Sequence, residues 1–445
     1  MTTISRFRAA GFAAVLPIAL LAACGDREII LPGERLDPLA VTSPDGPAVV
    51  GAPAPAGTAL SLPAMRANAD WTQRAGNAAH DPGHAALGRG LALQWSAPIG
   101  QGDSRRHRIT ADPVVSGGVI YTLDSRVGVT ATSTGGGRVW QADLRPPAET
   151  GDSVSGGGIA AEGGRIFVTT GYGELVALDA RSGGVLWRQR VEIPVSGAPT
   201  VQDGVVYVAA RNAVGWAVRA TDGRVLWQTT GNQQPMGVMG VSAPAVAGNT
   251  VVFPFSSGQL LAADTATGIT QFTAQVAGNR TGRAIANIRD VTGDPVIAGG
   301  RVYGGTSSGR IGAYDLATGA EIWSARDGAN SPVVVAGGSV FAVNDQAELI
   351  RLDASNGGVI WRMALPYYTD NRARRQDRIY AHYGPVLAGG RLFVASSDGQ
   401  LRAFDPASGV LTGTAAIPGG AAAAPTVAGQ TLHVVTRNGQ LLAYR

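Results

Sequence analysis

The stretch APTVQDGVVYVAARNAVGWAVRATDGRVLWQTT, from Ala198 to Thr230, carries the reading of the fold. It runs as a Pro-led apolar strand, a Gly-containing turn, a second strand Val205-Val206-Tyr207-Val208, a third strand, an Asp-Gly turn and a last strand closing on Trp227. The same order recurs from Asp294, DPVIAGGRVYGGTSSGRIGAYDLATGAEIWSAR, and from Ala243, APAVAGNTVVFPFSSGQLLAADTATGITQFTAQ. Turn glycines fall at 183, 223, 268, 319, 357 and 409, and four residues after each stand Trp187, Trp227, Phe272, Trp323, Trp361 and Gly413. Four short strands per unit of roughly 45 residues are the signature of β-propeller blades.

The chain ends set the number of blades. Complete repeats begin near Pro113, Ile159, Pro199, Pro244, Pro295, Pro332 and Pro385. An eighth begins at Pro425 and stops at Arg445, where its third strand ends. Leu91-Ala-Leu-Gln-Trp95, ahead of the first repeat, is a strand without a partner that ends in the same Trp. Adding it to the last blade closes the ring and removes a sheet edge open to aggregation. The expectation is an all-β, eight-bladed propeller over residues 69–445, with the last blade closed by the N-terminal strand.

Composition fits this reading. The chain has 63 Gly and 25 Pro, suited to frequent turns, and every one of its 36 basic residues is Arg. Residues 1–24 hold Arg6 and Arg8 and no acid, so their removal lowers the net charge from +4 to about +2. A near-neutral mature chain gives no global case for nucleic acid as a partner.

Residues 1–24 read as a secretory leader. Arg6 and Arg8 precede the apolar run Ala9–Ala23, which is too short to span a bilayer, and Leu21-Ala22-Ala23-Cys24 ends it. Cys24 is the single cysteine, which excludes an internal disulfide and any Cys-based metal site. Residues 25–68, with Pro38, Pro44, Pro47, Pro53 and Pro55, read as a flexible tether. In the segment Trp71–Gly88, His80 and His84 invite a metal, but Pro82-Gly83 prevents a helix from aligning them, so a loop plugging or flanking the propeller is expected and no metal site is assigned.

The unit ALDARSGGVLW, Ala177–Trp187, resembles the repeat of quinoprotein dehydrogenases that bind pyrroloquinoline quinone. There the Trp docks on the neighbouring blade, which implies a packing role for Trp95, Trp140, Trp187, Trp227, Trp323 and Trp361. The leader ending in Cys24, which resembles a lipobox, the length and the split last blade are similar to the BamB family, the lipoprotein subunit of the outer-membrane β-barrel assembly machine. That resemblance implies lipidation at Cys24 and a membrane-anchored, periplasm-facing scaffold at the outer membrane. It implies binding to the periplasmic modules of the barrel-forming subunit and contact with unfolded outer-membrane proteins, with no cofactor, catalytic residue or nucleic-acid partner. The alternatives are a quinone-dependent dehydrogenase and a periplasmic ligand-binding propeller. The first is disfavoured because a lone cysteine cannot supply the adjacent-cysteine disulfide that such enzymes hold against the quinone.

Loop length indicates where binding occurs. The first-to-second and third-to-fourth turns are minimal, whereas the long segments 100–112, 230–242, 276–293 and 364–384 all join one blade to the next and open on the other face. By resemblance, Met236, Val238 and Met239 before Ser242-Ala243-Pro244 occupy partner-contact positions, with Met239 where the family pattern carries Arg. Asp290 matches an acidic contact of the following loop. Arg105, Arg106 and Arg108 in one long loop, and Arg372, Arg374, Arg375 and Arg378 in another, form a second candidate surface for an acidic protein or lipid headgroups.

Overall fold

The computed structural model describes residues 59–147, 149, 154–191, 195, 197–233, 242–276, 278, 288–370 and 372–445. Met236, Val238 and Met239 lie outside the described residues, as do Cys24, the leader and the tether up to residue 58. Among the described residues the elements are strands, apart from one 3-10 turn at Ala373–Arg375.

The strands form eight antiparallel four-stranded sheets, each a blade. Blade one is typical: Val114–Ser116, Val119–Leu123, Gly128–Ser133 and Arg138–Asp143 pair in sequence order. Its inner strands are apolar and buried, whereas the last alternates exposed and half-buried residues because one edge and one face meet water. Blade eight is built from Thr426–Ala428, Thr431–Val435 and Gln440–Tyr444, and Leu93–Pro98 completes it, with Ser96 opposite Leu442 and Ala97 opposite Leu441. The expected closure is therefore present.

One contact repeats around the ring and holds blade to blade. The indole Nε1 of Trp140, on blade one, donates to the Ala180 carbonyl in the third-to-fourth turn of blade two at 2.9 Å. Trp95, Trp187, Trp227, Trp323 and Trp361 do the same to Thr134, Ala220, Thr265, Ala354 and Pro406 of the next blade. Each ring also lies over the turn glycine. Gly183 has φ +75°, and a Cβ there would fall 2.6 Å from Trp140 Cε3, so both backbone and space require glycine. The turn itself is tied by its aspartate: Asp179 Oδ1 accepts from the Ser182 amide at 2.8 Å and hydroxyl at 2.7 Å, and Asp264 with Thr267, Asp315 with Thr318 and Asp405 with Ser408 repeat this. Gly413 breaks the Trp series for a physical reason. The next blade is the split one, whose third and fourth strands come from opposite ends of the chain, so it has no turn on which an indole could dock.

The Trp71–Gly88 segment plugs the channel, and it visits the innermost strands in ring order. Asn68 bonds to Val427 and Gly429 of blade eight, and Trp71 exchanges two hydrogen bonds with Val115 of blade one. Thr72 accepts from Ala161 of blade two, and the Gln73 side chain bonds to Val201 of blade three in both directions. Ala78 and Ala79 accept from Val246 of blade four and Ile297 of blade five, and Ala85 bonds to Leu387 and Gly389 of blade seven. Leu60 and Leu62 pack against the apolar cluster holding Phe341, Leu349 and Leu387. The packed region thus starts near residue 60, ahead of the expected boundary at 69. An irregular segment can lie at the centre of a protein because its backbone groups find partners on the strand edges.

Candidate functional site

The two faces of the disc differ in construction. The plug meets the first strands beside their tight turns, at residues such as Val115, Val201 and Gly389, and so closes the short-turn end of the channel. The Arg74 guanidinium reaches along the axis, with Nε 2.5 Å from Asp294 of blade five and one terminal nitrogen 3.8 Å from Asp112 of blade one. Blades one and five face each other across an eight-membered ring, so this cation ties opposite walls together. Asp112 and Asp294 are fixed in turn by the amides of Ala424 and Ala243. Burial pushes the Asp112 carboxyl up and is opposed by Arg74.

The two plug histidines are engaged with the backbone. His80 Nδ1 lies 2.7 Å from the Pro295 carbonyl, and burial holds its imidazole below the ordinary histidine range. His84 Nδ1 lies 2.8 Å from the Pro63 carbonyl, while its Nε2 accepts from the Gly390 amide at 2.8 Å. Among the described residues no three His, Cys, Asp or Glu side chains gather in a group able to hold a metal.

Beside the plug a cavity of about 30 Å³ remains, lined by Trp71, His80, Asp112, Pro385 and Pro425 among others. Small-molecule sites occupy roughly 300–1,000 Å³, so this one has room for a water molecule and a tricyclic quinone does not fit.

The opposite face carries the interblade loops. At the foot of segment 234–241, the Asn232 amide donates to Gln259 Oε1 at 2.7 Å, and the Ser242 hydroxyl donates to the Val291 carbonyl. That second bond sets the foot of this loop beside Asp290 and the first strand of blade five, Val291–Ala298. Asp290 itself is fully buried, so its carboxylate lies beneath the surface rather than on it. Thr292 is already within the strand, and its hydroxyl donates to the Ala329 carbonyl of the next interblade segment at 2.7 Å.

On the far half of this face a cleft of about 1040 Å³ opens between segments 100–112 and 364–384. It is lined by Arg105, Arg108, Arg378 and Arg437, with Asp103, Tyr383 and Ile379. Of the four arginines singled out in segment 364–384, only Arg378 faces the cleft, while Arg372, Arg374 and Arg375 are exposed around the 3-10 turn at the tip. Arg437 escaped sequence reading, because it sits in an ordinary turn of blade eight and reaches the cleft only through ring closure.

The family model described as "Outer membrane protein assembly factor BamB" matches residues 123–363 and 366–445. The BamB proteins of Yersinia pestis and Bordetella pertussis are 25% identical over 358 residues and 26% identical over 364 residues. These alignments cover 79% and 81% of this chain and 88% of each relative. The crystal structure of BamB from Moraxella catarrhalis superimposes with a TM-score of 0.66 at 19% identity, covering 80% of this chain and 99% of that one. A quinohemoprotein alcohol dehydrogenase from Comamonas testosteroni superimposes equally well, at 0.67 with 16% identity over 84% of this chain and 80% of its own, so the likeness in shape speaks for the propeller alone. The family model separates the two, and it covers all eight blades apart from the first strands of blade one and the strand Leu93–Pro98: this chain belongs to the outer membrane protein assembly factor BamB family.

Proposed function

We propose that this chain is a non-catalytic scaffold of outer-membrane protein assembly, anchored through lipid on Cys24, facing the periplasm, and binding the periplasmic modules of the barrel-forming subunit. Contact with unfolded outer-membrane proteins belongs to the same reading. The observation that carries it is membership of the assembly-factor family on a disc that elaborates one face only. Segment 234–241 is the proposed contact: Met236, Val238 and Met239 are adaptable apolar residues next in sequence to Gly237 and Gly240, and Asp290 lies buried directly ahead of the first strand of blade five. The small axial cavity and the engaged plug histidines argue against a quinone-dependent dehydrogenase.

Interfaces concentrate their energy in a few anchors. Met236→Ala combined with Val238→Asp should weaken binding to the purified periplasmic modules of the barrel-forming subunit by about tenfold or more, which is about 1.4 kcal/mol, with an unchanged melting curve. Asp179→Ala on the opposite face should leave the affinity unaltered. Full affinity in the loop double variant would remove segment 234–241 as the contact. Saturable binding of pyrroloquinoline quinone would favour the enzyme reading.

A further inference from the structure

We propose that the cleft between segments 100–112 and 364–384 binds an extended acidic stretch of another polypeptide. Four guanidiniums from two separate segments and a blade-eight turn converge on it: Arg105 and Arg108 from the first, Arg378 from the second, and Arg437 from the turn. A single carboxylate, Asp103, opposes them, and it is already committed. Its Oδ2 accepts from Arg108 at 3.2 Å and from Arg437 at 3.3 Å, and its Oδ1 accepts from the Ile109 amide at 2.9 Å. Asp103 therefore fixes two of the cations at the wall and leaves the others unopposed. Arg105 and Arg378 are exposed and form no ion pair among the described residues. An unneutralised cluster in a concave site raises the local concentration of anions, and the planar guanidinium matches a carboxylate in two-pronged geometry.

The remaining lining decides the class of anion. Ile379, exposed at 57%, lines the cleft and bridges Tyr368, outside it, at the base of the segment 364–384 hairpin, and Tyr383 lies on the floor. Burial, with Asp103 nearby, pushes the Tyr383 phenol up to about 12, so it stays a neutral donor at neutral pH. Cations interleaved with isolated apolar and aromatic groups suit a chain that alternates acidic and apolar side chains. A lipid headgroup would arrive with acyl chains, and the cleft offers them no continuous apolar bed: other exposed large aliphatic residues, such as Val139, Leu186 and Leu411, lie on outer strands. At about 1040 Å³ the cleft also exceeds what one phosphate needs. The cleft is built from segments that enter blades one and seven and from a turn of blade eight, whereas segment 234–241 joins blades three and four in the chain, so the two sites are tested independently.

The test uses the purified propeller and a fluorescein-labelled peptide of alternating glutamate and tyrosine, read by fluorescence anisotropy. Binding is expected at low ionic strength and should weaken as salt approaches about 150 mM, where the screening length falls to about 8 Å. Arg105→Glu with Arg378→Glu should weaken it by about tenfold or more, and each single glutamine variant by a smaller factor. Arg374→Glu, outside the cleft, should leave it unchanged, and a lysine–tyrosine peptide should not bind. Melting curves of all variants should coincide, because neither cleft arginine has a structural partner. Equal affinity in the double variant, or equal loss with Arg374→Glu, would overturn the proposal. So would phosphatidylglycerol vesicles that bind through Arg105 and Arg378 while the peptide does not, which would assign the cleft to a membrane surface.

Discussion

At position 433 the eighth blade carries a histidine where other blades carry Tyr121, Phe167, Tyr207, Tyr303, Phe341 and Phe393. In five of those blades the ring packs against the Trp of its own fourth strand, for example Phe341 on Trp361 with centroids 6.1 Å apart, and His433 packs on Trp95 at the same separation. The imidazole is buried, its Nδ1 has no hydrogen-bond partner, and burial pushes its pKa down to about 4. Its ordinary value is 6.5, so between pH 6.5 and 4 the unfolded chain takes up a proton that the folded chain refuses. Stability is then complete above pH 6.5 and falls as pH drops, by up to about 3 kcal/mol from this residue. His80 and His382, also lowered by burial, act in the same direction. His433→Phe should reduce the slope of melting temperature against pH between 7 and 4.5 and leave the value at pH 7 equal or higher. An unchanged slope would show that this ring is not the titrating group. The turn aspartates Asp179, Asp264 and Asp315 are held below the usual carboxylate range by their hydroxyl and amide donors, so their contribution is lost only at still lower pH.

At the level of elements, the plug and the closing strand make separable contributions. Deleting residues 1–58 should leave the melting temperature nearly unchanged. Deletion through residue 88 removes the partners of seven blades and the cation between Asp112 and Asp294, and should lower it strongly. Deletion through Trp95 also takes the start of the closing strand, Leu93–Pro98, and exposes the edge of Gln440–Tyr444, so aggregation is expected in light scattering. If deletion to residue 88 is as harmless as deletion to 58, the plug has no structural role. The blades and the docking indoles were legible in the sequence because strand, turn and Trp repeat within each unit, and the seam because the unfinished eighth repeat and the unpartnered strand ending at Trp95 complete each other. The plug was only half legible. Trp71–Gly88 has no periodicity of its own, and its conformation is dictated by strand edges and turns up to 306 residues away, as between His84 and Gly390. The cleft was hidden for the same reason, since Arg105 and Arg437 meet only when the ring closes. Asp290 was read by resemblance as a partner contact; the first strand of blade five starts directly after it, and its side chain is buried.

For the whole molecule, the proposed attachment is a single lipid-modified residue ahead of a disc whose loops work on one face. Cys24→Ser should abolish lipid modification and move the protein from the membrane fraction to the soluble periplasm. Persistence in membranes after a high-salt wash would refute the anchor. The ring itself is fastened without a covalent bond across the seam: Leu93–Pro98 pairs with Gln440–Tyr444, the Ser96 hydroxyl donates to Gln440 Oε1, and Asp103 pairs with Arg437. Between any N-terminal attachment and that fastening lies the plug, threaded through the hub and bonded in turn to the surrounding blades. Mechanically it is a strain relief. A pull on the chain ahead of residue 59 loads the hub, where tension is shared around the rim, before any force reaches the clasp. In an optical trap, pulling at residue 59 against a fixed C-terminus should give a first rip that releases the plug while the blades stay closed, and a second at higher extension as the clasp opens. With the plug deleted, the clasp should yield at lower force.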